Sequence, residues 1–188
     1  MVSFIELTPS LHLSVSMEGM SEGALGTFPA LHGRPRVTKD VDLVVIAEDE
    51  RWKALLAAAA NSQLAPRIAD ALDFAKTTRV LLLVHEPSAI EVDVNFGMLP
   101  FESEVVNRAQ MRKVQKIRFP LATPEDIVVM KALALRPRDI ADIEGIVELI
   151  PNLDVERIRR VVSQLSAALE TEDHLARLDQ ILAGVPRC

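Results

Sequence analysis

Cysteine is nearly missing from this chain of 188 residues: Cys188 is the single one. A disulfide within the chain and a cysteine-based metal site are therefore excluded. Long hydrophobic runs are missing too. The longest, such as VLLLV from Val80 to Val84, is far too short to span a bilayer, so no membrane partner is expected. The opening stretch MVSFIELTPSLHLSVSM holds an acid and no basic segment, which argues against a secretory leader and for a cytoplasmic protein. The four histidines, His12, His32, His85 and His174, form no H-x-x-x-H pair, and nothing else has zinc-ligand spacing. Neither G-x-S-x-G nor G-x-x-x-x-G-K-[ST] occurs, so serine-hydrolase and P-loop chemistry have no support. Positive charge is in deficit, with a net charge of −6. That argues against a broad nucleic-acid-binding surface, whose affinity comes mainly from neutralised phosphates. Local basic clusters remain in GRPRVTK and RAQMRKVQKIR, and the second reads as a solvated face.

What the chain does have is apolar material for a core: 49% of residues are hydrophobic and 26% charged. Residues 1–24 show no sustained period. The β-branched run Val41 to Ile46 predicts a buried strand, and EDERWKALLAAAA a helix with its acids at the start. A second short helix is expected over PRIADALDFA, opened by Pro66. RVLLLVH and IEVDVNF read as two strands joined by EPSA, and a short helix follows around ESEVVNRAQ. KIRFPL reads as a last strand ended by Pro120. At Thr123 the pattern changes. TPEDIVVMKALALR has a threonine cap, proline at the first helical position and acids in the first turn, and Pro137 breaks it. Three further stretches have apolar residues three and four apart. The expectation is an α/β (α+β) chain: a mixed β-sheet core with flanking helices over 1–122, and a helical region over 123–188 packed on it.

The candidate chemistry lies in two strands. Asp40 and Asp42, two apart, share one face, where their charges repel unless a cation, a proton or solvent offsets them. In AIEVDVNFG, Glu91, Asp93 and Asn95 share one face and Val92, Val94 and Phe96 the other. If these strands are neighbours, three aspartates converge on one spot, a donor set suited to Mg²⁺ (or Mn²⁺) and a bound triphosphate. The structural alternative is a solvated strand end.

HGRPRVTKDVDLVV resembles the signature of the polymerase-β-like nucleotidyltransferases, and is most similar to the branch of AbiEii-type toxins and minimal nucleotidyltransferases. That signature runs G-x-x-R-x-T-x-D-[ILV]-D, with a third aspartate on a later strand. Gly33, Arg36, Thr38, Asp40 and Asp42 fall on it, and Asp93 matches the third carboxylate. The block TPEDIVVMKALALRPRDIADI is similar to a second segment of that branch, with Thr123, Pro124, Glu125, Asp126, Lys131, Ala134, Arg136, Asp139 and Asp142 on the pattern. The resemblance covers roughly residues 25 to 145. One position departs: the family's turn opens with two small residues, and here they are Leu25 and Gly26. A leucine adds bulk where backbone N–H groups approach phosphate.

The resemblance implies a nucleotidyltransferase core and Mg-dependent transfer of NMP from an NTP such as ATP to a hydroxyl of RNA (a tRNA end) or protein. It also implies either the toxin of a toxin–antitoxin pair, with a cognate antitoxin as partner, or an antitoxin-like enzyme that modifies protein; the C-terminal lysine and aspartate block favours the toxin. It gives Asp40, Asp42 and Asp93 the metal-binding and catalytic roles, and Gly26, Arg36, Thr38 and Lys131 nucleotide binding. Residue by residue, Thr38 also suits shaping the turn into the strand, and His32 a structural place. Lys131, in an otherwise apolar helix, suits an ion pair with Asp139 or Asp142. The alternative function, motivated by Leu25, is a catalytically impaired protein of this fold acting as a binding or partner module.

Overall fold

The computed structural model describes residues 12–16, 40–114, 117–169 and 173–185. They divide into two compact units. Residues up to 122 form a sheet with helices, and those from 123 onward form a helical bundle. No helix among the described residues is long and apolar enough to cross a membrane.

The sheet has seven strands: β1 (His12–Ser16), β2 (Asp40–Ile46), β3 (Leu64–Pro66), β4 (Val80–His85), β5 (Ile90–Phe96), β6 (Gln110–Val114) and β7 (Ile117–Leu121). Their spatial order is β3-β4-β5-β2-β1-β7-β6. The sheet is mixed. β2 pairs parallel to β5, and β1 parallel to β7, while the other neighbours are antiparallel. β4 and β5 form the expected hairpin. Ala89 takes the left-handed conformation (φ 53°), its N–H donates to the His85 carbonyl at 2.8 Å, and His85 Nδ1 meets the Ser88 hydroxyl at 2.6 Å. α3 (Pro100–Arg108) follows β5 and packs on β1 and β2.

Alternation on the central strands builds the core. Val45, Leu81, Leu83, Val92, Val94 and Phe96 are buried on one sheet face, against Trp52, Leu55 and Ala59 of α1 (Trp52–Ala60) and Ala71 and Ala75 of α2 (Ala71–Thr78). Trp52 stacks on Phe96 with ring centroids 3.9 Å apart, and its indole N–H donates to the Ala47 carbonyl at 3.2 Å. Arg79 ends α2 in the left-handed conformation and lies over the Trp52 ring at 4.8 Å. Buried aromatic area of this kind dominates core energetics.

Pro66 does not open a helix. It closes β3, and α2 begins five residues later, at Ala71. The sequence between carries no helical period; Pro66 pairs with Leu83 at the sheet edge, where a missing N–H is tolerated. Nor does Pro120 end the last strand: β7 runs through it to Leu121, and its pairing to β1 is confined to Val15 with Leu121.

The helical unit comprises α4 (Pro124–Ala134), α5 (Pro137–Leu149), α6 (Val155–Ala168) and α7 (Asp173–Gly184). Thr123 caps α4 by accepting from the Asp126 N–H at 3.3 Å, and Leu135 ends it in the left-handed conformation. Asp126 is fully buried and pairs with Arg157 of α6 at 2.8 Å, pinning the two helices together. A buried pair of this kind fixes which surfaces meet more than it adds net stability.

Candidate active site

β2 and β5 start at the same end of the sheet because they run parallel, and their register sets Asp42 beside Asp93 and Asp40 beside Glu91. Adjacent strands lie about 4.8 Å apart. Strand alternation turns all four carboxylates to the face opposite the hydrophobic core, where Asp40, Asp42 and Asp93 are half-buried and Glu91 is exposed. At the other end of β2, Ile46 belongs to this same acidic face and approaches Gly97, beside Glu102 of α3. A Cβ at Gly97 would stand 2.6 Å from Ile46 Cδ1 and 2.9 Å from Glu102 Cβ. Asn95 completes the row on β5, donating from its amide to the Leu43 carbonyl at 3.3 Å.

A fifth charged group reaches this face. Arg67 follows β3, its backbone N–H donating to the Leu82 carbonyl at 3.0 Å. One of its terminal nitrogens donates to Glu91 and the other to Asp93. Its Nε is buried without a hydrogen-bond partner. The sequence reading set Arg67 in the first turn of a helix, so its reach to β5 was out of sight. The one signal was a lone basic residue beside Pro66, and the β3–β4 pairing that aims it is non-local.

Burial pushes the Asp93 carboxyl above its ordinary value of 3.8. The Arg67 charge opposes that rise, while Glu91 and Asp40 add to it. The sensitivity of Asp93 to Asp40 follows from their shared face. Among the described residues, no three His, Cys, Asp or Glu side chains are grouped so as to hold a metal ion. Asp93 is engaged by Arg67 instead. The donor set nevertheless fits a hard divalent cation in kind: carboxylate oxygens from two adjacent strands, in register, on one polar face. Arg67 engages one oxygen of Asp93, Oδ1, so a cation at this site would share the carboxylate with the guanidinium or displace it.

Gly26, Arg36 and Thr38, with Leu25, His32 and Gly33, lie outside the described residues. Lys131 belongs to the helical unit. It is 7% exposed, and its ammonium donates to Asp142 at 2.8 Å and lies 3.7 Å from Asp139. Asp139 also accepts from the Arg136 N–H at 3.0 Å, fixing the start of α5. The lysine and the two aspartates of the second sequence block thus form one buried ion cluster joining α4 to α5.

This fold, a mixed sheet with a row of carboxylates at the start of two parallel strands, suits a nucleotidyltransferase. Residues 28–181 match the family model described as "Nucleotidyltransferase of unknown function (DUF6036)". The protein belongs to that family, and so to the nucleotidyltransferase superfamily. No curated protein matches the chain. Among solved structures, an antigenic nucleotidyltransferase-like protein from Paracoccidioides brasiliensis is similar at 18% identity and a TM-score of 0.47, over 95% of this chain and 87% of that one.

Proposed function

We propose that the protein is an Mg²⁺-dependent nucleotidyltransferase that moves NMP from an NTP to an acceptor hydroxyl. The observation that carries this reading is the β2–β5 register, which sets Asp42 beside Asp93 with Asp40 on the same face. Asp40, Asp42 and Asp93 would hold the cation, which when bound supplies neutralisation of triphosphate charge and orientation of the leaving pyrophosphate. Asp93 accepts the proton of the acceptor hydroxyl as that oxygen attacks the α-phosphorus. The bond between the α-phosphorus and the bridging oxygen breaks, and pyrophosphate leaves. By the resemblance, Gly26, Arg36 and Thr38 would take the nucleotide-binding roles, Arg36 by neutralising phosphate charge. Lys131, which the same resemblance assigns to nucleotide binding, is held by Asp139 and Asp142. Most of the rate comes from positioning and preorganised charge.

The toxin branch is the finer form of the proposal, with RNA (a tRNA end) as acceptor, a cognate antitoxin as partner and the cytoplasm as its place of action. The clustering of Lys131, Asp139 and Asp142, which spans the second motif block, supports it. Incubation with labelled NTPs, Mg²⁺, total tRNA and candidate protein acceptors tests the reading. Label should transfer with wild type and fall by about 100-fold or more in Asp42→Asn, the scale of losing one preorganised charge contact. Folded wild type that labels neither acceptor, where an active relative does, would overturn it.

The Arg67–Asp93 contact favours a second reading, a binding module that keeps the fold without the activity, because the third carboxylate is already neutralised. Calorimetry with ATP and Mg²⁺ separates the two. Binding that is lost in the Asp40→Asn, Asp42→Asn double variant removes the second reading.

A further inference from the structure

Arg67 has no place in the motif reading, yet it bridges two carboxylates of the acidic face. Its fork spans Glu91 and Asp93, one nitrogen to each, two residues apart on one side of β5. The stem starts at the far side of β4 from β5, and its backbone is tied to Leu82, the residue in register with Asp93. Any release of Asp93 is therefore a rotation of the side chain, with no strand or loop having to move. The grip is incomplete in one respect: Nε is buried without a partner, and a buried unmet donor weakens a guanidinium's hold.

We propose that Arg67 is a positioning residue that acts as a built-in counter-ion, clamping Asp93 against Glu91 until a divalent cation displaces its guanidinium from Asp93. The inference rests on the metal-site reading above. A guanidinium and a metal ion compete for one carboxylate because both need its oxygen lone pairs and both are positive. Arg67 keeps Glu91 when it leaves Asp93, so the clamp opens without losing its anchor. The freed terminal nitrogen is a planar donor of the kind that suits a phosphate oxygen. Arg67 thereby holds Asp93 on the acidic face without metal, and sets a threshold for loading.

Electron spin resonance of Mn²⁺ tests this directly, with a non-hydrolysable ATP analogue present and no turnover. Arg67→Gln should bind Mn²⁺ about three- to tenfold tighter than wild type, since a competing unit charge beside the site is gone. Arg67→Lys, a point charge without the fork, should fall between the two. In wild type, the guanidinium nitrogen resonances of Arg67 should shift as Mg²⁺ is added, and that measurement needs no variant to fold. Asp42→Asn separates the two claims. If it binds Mn²⁺ as wild type does, the metal-site reading fails and the clamp with it. If it loses Mn²⁺ while both Arg67 variants bind no tighter than wild type, the site stands and the clamp is wrong. Arg67 resonances indifferent to saturating Mg²⁺ also overturn it.

Discussion

At the scale of single residues, two effects compete at Asp93. Burial disfavours its charged form, and Arg67 favours it; burial prevails, with Glu91 and Asp40 on its side. A carboxyl raised in the folded state binds protons more readily there than when unfolded. Its ionisation therefore opposes folding as pH climbs from 3.8 through the raised folded value. Carboxyl NMR of the metal-free protein should place the Asp93 midpoint above 3.8, and Arg67→Gln should move it higher still. A midpoint below 3.8 would mean that the guanidinium outweighs burial. In the helical unit, Lys131 with Asp139 and Asp142 forms an ionic centre buried on both sides. Lys131→Met removes the ammonium that links Asp139 to Asp142, and should cost about 3–5 kcal/mol in urea unfolding. Adding Asp142→Asn should recover part of that loss. Strictly additive losses would show that the cluster is not coupled.

At the scale of elements, the junction of β5 with α3 is the tightest point near the site. Gly97→Ala drives a methyl against Ile46 and Glu102 Cβ, and should destabilise by about 1–3 kcal/mol while leaving the β2–β5 register intact. A loss below that range in thermal unfolding would show that Ile46 and Glu102 yield freely. The cap of α4 is a second such point. Thr123 accepts from the Asp126 N–H and its hydroxyl donates to the Asp126 carboxylate at 2.7 Å, so Thr123→Ala should cost about 1–2 kcal/mol. The strands that escaped the sequence reading share a cause. β6, QMRKV, is an exposed edge strand whose charged residues read as a solvated cluster, and β3 has only three residues. β1, HLSVS, is defined by its pairing with β2, which local pattern does not encode.

At the scale of the whole molecule, a ligand that binds the folded chain and not the unfolded one stabilises it by mass action. On the proposed reading, an NTP with Mg²⁺ at a hundred times its Kd should add about 2.7 kcal/mol, which for a chain of this size would raise Tm by about 5 to 10 °C. Calorimetry should show that rise in wild type and none in Asp42→Asn. Equal rises in both would place the ligand away from β2. The family match over residues 28–181 takes in β2 to β7 of the sheet and reaches into the last helix.

The sequence by itself determined the chemistry in play. A D-x-D strand start, an alternating strand with a third aspartate, and a threonine-capped helix carrying Lys131 are all local patterns, legible because strand and helix periods are properties of neighbouring residues. Tertiary structure decided what those residues meet. The parallel pairing of β2 and β5 is a contact between segments some fifty residues apart, and it alone sets Asp42 against Asp93 rather than one residue out of step, on the opposite face. Tertiary structure also brought in Arg67. Its role depends on an edge strand of three residues pairing with β4, and a contact made only across three strands leaves no period in the chain for a sequence to display.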